Sequence, residues 1–129
     1  LDCDFAGQTE GALAALEQYD LVIIHIEAPD EAGHAGSVSE KVTAIEMVDR
    51  EVIPRLSAWH GDSLRVLVMP DHPTPIEVQT HVAEPVPFLL WGPGFRPGGA
   101  RRFTEAEAVN SGLIVDPGYQ VMSRLIQGS

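Results

Sequence analysis

The chain has 129 residues, and its 44% hydrophobic and 21% charged content is typical of one globular domain with an apolar core. Nineteen acidic residues against eight basic ones give a formal net charge of -11, which argues against nucleic acid or an anionic membrane as a partner. A cation or a small molecule is the expected partner instead. The single cysteine excludes an internal disulfide, and with no export signal or long apolar run in view we expect a cytoplasmic protein.

The first part of the chain predicts a helix, a buried strand and a loop. Apolar residues at three- and four-residue spacing predict a short helix between Thr9 and Tyr19. Residues 21–26 are apolar apart from His25 and rich in β-branched side chains, which predicts a central strand covered on both faces with His25 in the core. Residues 27–36 contain a proline, two glycines and three acidic residues, which is typical of a loop.

The middle of the chain predicts a long helix followed by two further strands. Ser37 followed by Glu40 is a capping box, and the apolar residues after it keep a helical spacing until Pro54 kinks or ends the helix. Two short apolar runs then predict strands that both lead into polar loops, at 64–69 and at 86–91.

Two short helices complete the predicted order, one beginning at a capping box of Thr104 and Glu107 and the other spanning 117–126. The first two predicted strands are joined by a helical crossover of about forty residues. A crossover of this kind indicates that the two strands are parallel neighbours in one sheet. We therefore predict an α/β fold in which helices flank a mainly parallel sheet. Because the chain starts at Leu1 rather than at a methionine, we expect residues 1–129 to form a single domain that is part of a larger one.

Carboxylate and imidazole side chains follow the first two predicted strands. Asp30 and His34 come after the first strand, and Asp71 and His72 come after the second, with His81 nine residues further on. Either pair alone could cap a helix or form a turn, but ligands of open parallel sheets bind where such strands end. This mixture of ligands suits Mn or Zn, and five candidates are more than one ion with an open position needs. The pattern predicts two divalent metal ions.

Several of these residues stand in strings that resemble a known family. The strings 27–34, 71–75 and 85–88, together with His81, resemble the C-terminal part of the archaeal-type, 2,3-bisphosphoglycerate-independent phosphoglycerate mutases of the alkaline phosphatase superfamily. The resemblance implies an alkaline-phosphatase-like fold, of which this chain is a part. It also implies that one metal is held by Asp30, His34 and His81, and that Asp71 and His72 help to hold a second.

The resemblance further implies a metal-dependent isomerase that interconverts 2- and 3-phosphoglycerate through a phosphoserine intermediate. In the family an N-terminal aspartate and a nucleophilic serine complete the second site, and no residue of this chain matches either of them. Ser37, Ser39 and Thr74 are interpreted instead as a cap, a helix-start residue and a turn residue. We therefore expect no catalytic nucleophile in this chain, and no mutase activity from the chain alone.

Two alternatives remain open. One is a small-molecule kinase of the homoserine type, which is related to the same family. The other is a non-catalytic metal-binding or assembly module, which the unmatched nucleophile and the few basic residues favour. The expected partners are a small phosphorylated substrate and a second copy of the chain, paired through an exposed sheet edge.

Overall fold

The computed structural model describes residues 3–59 and 63–129, which fall into two compact units. The first unit comprises Leu1–His60 and Thr74–Val82, and the second comprises Gly61–Pro73 and Ala83–Ser129. Among the described residues, no helix is long and apolar enough to cross a membrane. The elements in chain order are α1 Phe5–Ala15, α2 Ala28–His34, α3 Val38–Met47, a π-helical turn Val48–Val52, α4 Ile53–Ala58, β1 Val66–Val68, β2 Leu89–Trp91, α5 Glu105–Ser111 and α6 Gln120–Gln127.

The first unit is built around a small apolar core. Its first helix begins four residues earlier than predicted, because the Asp4 side chain caps α1 by accepting a hydrogen bond from the Gly7 amide at 2.9 Å. Side chains from α1, α2, α3 and the π-helical turn form the buried centre of this core: Phe5, Ala28, Ala44 and Val52.

Residues 21–26 differ from their prediction as a central strand covered on both faces. Within the described residues they belong to no helix and to no sheet. Ile24 and Ile26 pack against the core of the first unit, whereas Ile23 is 79% exposed. The expectation that His25 lies in the core is wrong, because its ring is exposed and lies 3.7 Å from the Glu27 carboxylate. One face of the apolar run is packed and the other faces outward.

Residues 27–36, predicted as a loop, contain helix α2. Pro29 lies in the first turn, where a missing amide hydrogen costs nothing because that amide has no partner within the helix. Asp30 and Glu31 in the same turn interact favourably with the positive end of the helix dipole. Because residues four apart lie on one face of a helix, α2 places Asp30 and His34 side by side.

The long helix predicted after Ser37 is confirmed at its start and interrupted near its end. The Ser37 hydroxyl oxygen accepts a hydrogen bond from the Glu40 amide at 3.4 Å, as a capping box requires. The π-helical turn follows α3 directly, and Pro54 then lies in the first turn of α4. Proline cannot donate an amide hydrogen to the preceding turn, which accounts for the change in helical geometry here.

The second unit contains the sheet of the described residues, and its pairing differs from the prediction. The two strands predicted at 64–69 and 86–91 are present in shortened form as β1 and β2. They pair antiparallel, with Val66 opposite Trp91 and Val68 opposite Leu89. The mainly parallel sheet is not confirmed, because it required residues 21–26 as the first strand of a crossover unit.

The C-terminal helices of the second unit are held by caps and by one arginine. The Thr104 hydroxyl oxygen accepts from the Glu107 amide at 3.2 Å, which confirms the predicted start of α5. The Arg65 guanidinium donates to the carbonyl oxygens of Pro93 at 2.9 Å and of Ile126 at 2.5 Å. Because Ile126 lies in the last turn of α6, this cation also stabilises the negative end of that helix.

Candidate metal centre

Three predicted metal ligands come together within the first unit. Asp30 and His34 lie one turn apart on α2, and His81 lies in the segment 74–82. The Nε2 atom of His34 lies 3.4 Å from Asp30 Oδ2 and 3.1 Å from His81 Nε2. The His81 Nε2 atom lies 3.4 Å from the other carboxylate oxygen, Asp30 Oδ1. We call these three residues the ligand triangle. Helix α2 therefore supplies two of the three groups, and the return of the chain at 74–82 supplies the third.

The orientation of the His34 ring is set by a backbone oxygen. Its Nδ1 atom lies 3.0 Å from the carbonyl oxygen of Gln79, and a carbonyl can only accept a hydrogen bond. The proton of a neutral His34 therefore belongs on Nδ1, which leaves the lone pair of Nε2 directed at Asp30 and His81. Metal-binding histidines usually donate their other ring N–H to a carbonyl or carboxylate in this way.

The separations of these ligand atoms fit a bound cation. A tetrahedral zinc ion with bonds of about 2.0–2.1 Å holds its ligand atoms about 3.3 Å apart. Here the two imidazole nitrogens lie 3.1 Å apart, and each of them lies 3.4 Å from a different oxygen of the Asp30 carboxylate. A bare imidazole nitrogen facing a carboxylate oxygen also places two acceptors together, which a shared cation relieves. Distances and donor chemistry together suit one divalent ion at Asp30, His34 and His81.

Two residues that were not predicted as part of the site support Asp30. The Thr74 hydroxyl donates a hydrogen bond to Asp30 Oδ1, and Thr74 is only 4% exposed. The Lys41 ammonium donates in turn to the backbone carbonyl oxygen of Thr74 at 2.5 Å. The interpretation of Thr74 as a turn residue therefore missed its contact with a predicted ligand.

Gly33 allows the chain to approach α2 at this point. A β-carbon at Gly33 would lie 2.6 Å from the Thr74 carbonyl oxygen and 3.0 Å from the Lys41 Nζ atom. Both distances are shorter than ordinary van der Waals contacts, so a larger residue at position 33 would push the segment 74–82 outward. The glycine between Asp30 and His34 is thus part of how the triangle is formed.

The other two predicted ligands, Asp71 and His72, belong to the second unit. The Nε2 atom of His72 lies 3.4 Å from Asp71 Oδ2, and the His72 amide donates to Asp71 Oδ1 at 3.1 Å. The Asp71 side chain is 73% exposed, whereas that of His72 is about one-third exposed. Their assignment to a second metal stays a prediction, as does the assignment of the first three ligands.

The sequence contained only weak signals for the supporting residues. Thr74 stands between two prolines, and this context indicates a turn but does not indicate that the Thr74 side chain is buried. Gln79 contributes through its backbone and has a positive φ of 56°, which no side-chain pattern reveals. Lys41 is the one lysine of the chain, and the sequence does not indicate that it contacts Thr74.

Comparison with known proteins shows which family and which relatives the chain resembles. The model of the family described as the Metalloenzyme superfamily matches residues 2–117. A 2,3-bisphosphoglycerate-independent phosphoglycerate mutase of Methanothrix thermoacetophila is 43% identical over 99% of this chain and 33% of its own length. A second one, from Methanothermobacter thermautotrophicus, is 53% identical over 73% of this chain and 24% of its own length.

A solved structure is also similar to the chain along nearly all of its length. The PH0037 protein of Pyrococcus horikoshii is 30% identical and superposes with a TM-score of 0.89, over 97% of this chain and 38% of that one. The chain thus spans about a third of the length of the relatives that it matches along nearly all of its own length. The predicted resemblance to the archaeal-type phosphoglycerate mutases is confirmed, and with residues 2–117 matched the chain belongs to the Metalloenzyme superfamily.

Proposed function

We propose that this chain supplies divalent-metal ligands to a phosphoryl-transfer enzyme that interconverts 2- and 3-phosphoglycerate. The main support is the triangle of Asp30, His34 and His81, in which the two imidazole nitrogens lie 3.1 Å apart and each lies 3.4 Å from an Asp30 oxygen. Membership of the Metalloenzyme superfamily implies use of divalent metal, and several relatives are named phosphoglycerate mutases. Because the chain spans about a third of their length, the activity is proposed for a longer protein.

In this proposal the metal ions are Mn or Zn. Asp30, His34 and His81 hold one ion, while Asp71 and His72 contribute to a second with ligands from elsewhere in the longer protein. When bound, such ions offset negative charge on phosphoryl oxygens. The residues of this chain would hold the positive ion in place. Asp30 provides a carboxylate, and the Gln79 carbonyl keeps the lone pair of His34 Nε2 directed at the other ligands.

We assign the nucleophile to a serine outside this chain, which would carry the phosphoryl group between the two hydroxyls of the substrate. Two hydroxyls inside the chain have other partners. Ser37 Oγ accepts from the Glu40 amide at the start of α3, and Thr74 Oγ1 donates to Asp30. Thr74 is also only 4% exposed, so its hydroxyl oxygen has little access to the phosphorus of a bound substrate.

The charge of a phosphorylated substrate must also be met mainly by metal or by groups elsewhere. The first unit has three basic side chains, and each has a protein acceptor. Lys41 donates to the Thr74 carbonyl, Arg55 donates to the Glu51 carboxylate at 2.9 Å, and the Nε atom of Arg50 lies 3.4 Å from the same carboxylate. The same observation favours the second candidate, a metal-binding module without activity, for the chain on its own.

We further propose that the 129-residue chain associates with a second copy of itself. Residues 21–26 present an apolar outward face, with Leu21 48% and Ile23 79% exposed. Among the described residues this segment belongs to no sheet, although its composition favours a strand. Uncovered segments of this kind tend to pair with another chain, and an extended segment can pair with the same segment of a second copy about a two-fold axis.

A metal titration of the 129-residue chain tests the metal centre. We expect one Zn or Mn ion to bind more tightly than a second, and His34→Ala or His81→Ala to weaken the tighter site by at least about tenfold. His25→Ala is the matched control, since this histidine is exposed in the same unit and pairs with Glu27. Calorimetry that shows no divalent binding, or equal losses in all three variants, would reject the proposed site.

A further inference from the structure

We propose that Thr74 is a positioning residue for the metal centre: its hydroxyl fixes the rotation of the Asp30 carboxylate, and Lys41 holds the Thr74 backbone in place. The inference rests on the proposed function, because it assumes that Asp30 is a metal ligand. It goes beyond that function in assigning a role to two residues that supply no ligand atom.

The first step concerns the carboxylate. The two oxygens of Asp30 face different imidazoles, with Oδ2 3.4 Å from His34 Nε2 and Oδ1 3.4 Å from His81 Nε2. Rotation about the bond to the carboxyl group would break this match, and that torsion is a soft one. The hydrogen bond from the Thr74 hydroxyl to Oδ1 opposes the rotation. Hydrogen bonds to an ionised carboxylate are about twice as strong as neutral ones.

The second step concerns the strength of this restraint. Thr74 is 4% exposed, so water competes little for its hydroxyl, and its branched side chain has few rotamers to choose from. The hydroxyl therefore approaches Asp30 from a fixed direction. Residues that orient metal ligands in this manner typically change metal affinity by about 10–100-fold when they are replaced.

The third step concerns Lys41. Its ammonium lies 2.5 Å from the Thr74 carbonyl oxygen, on the side of Thr74 that faces α2 and α3. Gly33 leaves the space for this contact, since a β-carbon there would lie 3.0 Å from Lys41 Nζ. The lysine thus anchors the backbone that carries the hydroxyl. It is one of few cations in a chain of net charge -11, yet its contact is with a neutral carbonyl.

The test compares two substitutions at position 74 in the 129-residue chain, with zinc(II) as the probe and a chromophoric chelator as competitor. Thr74→Val keeps the shape and removes the hydroxyl, whereas Thr74→Ser keeps the hydroxyl. We expect Thr74→Val to weaken zinc binding by about 10–100-fold and Thr74→Ser to stay close to the original chain. The visible spectrum of the cobalt(II)-loaded chain should change in Thr74→Val alone. A purely structural role would lower metal-free thermal stability in both variants and leave the cobalt spectrum unchanged.

The remaining outcomes separate this inference from the metal centre itself. If His34→Ala weakens zinc binding while Thr74→Val does not, the positioning role is wrong and the metal centre stands. Equal losses in Thr74→Val and Thr74→Ser would also overturn it, because the hydroxyl would not be the cause. Unchanged binding in His34→Ala removes both proposals. If Thr74→Val does not fold, Lys41→Met replaces it: weaker zinc binding supports the anchor, and unchanged binding refutes it.

Discussion

The Nδ1 atom of His34 lies 3.0 Å from the backbone carbonyl oxygen of Gln79, and this contact determines which ring nitrogen is available to a metal. Gln79 reaches this position with a left-handed backbone, at a φ of 56°. Two amides of the segment close the turn behind it, since Val78 and Gln79 both donate to the carbonyl of Pro75. A backbone group thus selects the tautomer of a predicted ligand.

The first prediction follows from this contact. In the metal-free chain at mildly alkaline pH, neutral His34 should be the Nδ1–H tautomer, because the Gln79 carbonyl can only accept. Long-range proton–nitrogen NMR spectra of the imidazole can measure this directly. Added zinc should shift the Nε2 resonance and leave the Nδ1–H in place. A dominant Nε2–H tautomer, or loss of the Nδ1–H on adding zinc, would contradict the assignment.

The second prediction concerns two glycines in helices that differ in their surroundings. Gly33→Ala should lower the free energy of unfolding by about 1–3 kcal/mol through overpacking, since its β-carbon would lie 2.6 Å from the Thr74 carbonyl oxygen. Gly11→Ala in α1 meets nothing within 4 Å and should raise it by about 0.5–1 kcal/mol, because alanine favours helix. Chemical denaturation measures both. Equal effects of the two substitutions would show that the approach of Thr74 to α2 is looser than described.

The third prediction concerns the Cys3 thiol. Burial and then the negative charges of Asp4, Glu31 and Glu27 raise the pKa of this thiol above its ordinary value. At pH 8 the thiolate fraction, and therefore the rate of alkylation by iodoacetamide, should be lower than for a free cysteine. Asp4→Asn removes one charge but keeps a side chain that caps α1, so it should speed the reaction. An unchanged rate in that variant would contradict the electrostatic contribution of Asp4.

Local sequence signals predicted the starts of α3 and α5 correctly. The caps at Ser37 and Thr104 are present because each hydroxyl oxygen accepts a hydrogen bond from an amide three residues later in the first turn of its helix. This bond is local and does not depend on contacts with distant parts of the chain. The sequence also places Asp30 and His34 four residues apart, although the composition of residues 27–36 predicts a loop in place of helix α2. Their four-residue spacing indicates one helix face as readily as one loop.

Features that depend on distant parts of the chain could not be predicted in the same way. An apolar run such as residues 21–26 indicates a strand, but it does not indicate which chain segment covers its second face. The burial of Thr74 and the contribution of the Gln79 backbone depend on how the segment 74–82 returns to α2. Such contacts join residues more than forty positions apart, and no short pattern encodes them.

The fourth prediction concerns self-association. If residues 21–26 pair with a second copy, Ile23→Lys should weaken the association, because it places a charge in the apolar face. Val109→Lys is a matched control, since both residues are 79% exposed and Val109 lies in α5 of the other unit. Sedimentation velocity over a range of concentrations measures the effect. A compact monomer at all concentrations would rule out the pairing, and equal weakening by both variants would place it elsewhere.

The last prediction concerns catalysis, and its first part is that the 129-residue chain alone has no mutase activity. Phosphoryl transfer through a covalent intermediate needs an activated nucleophile, and the Ser37 and Thr74 hydroxyls have structural partners. Metal held by this chain could still activate water, so slow phosphatase activity that depends on zinc or manganese is compatible with the proposal. Efficient conversion of 3-phosphoglycerate by the chain alone would show that the nucleophile has been assigned wrongly.

The second part of this prediction applies to a longer protein that contains this segment. There Asp71→Asn should lower mutase turnover by at least about 100-fold, because charge stabilisation by a metal contributes several kcal/mol. The variant should remain folded, since the Asp71 side chain is 73% exposed and an asparagine oxygen can still accept from the His72 amide. Asp49→Asn, at an exposed acidic residue of the π-helical turn, is the control and should leave turnover unchanged. Steady-state kinetics measures the effect, with circular dichroism as the folding check, and normal turnover in a folded Asp71→Asn variant would remove Asp71 from the metal site. Transfer of the γ-phosphoryl group of ATP to homoserine, with release of ADP and without mutase turnover, would identify a kinase instead.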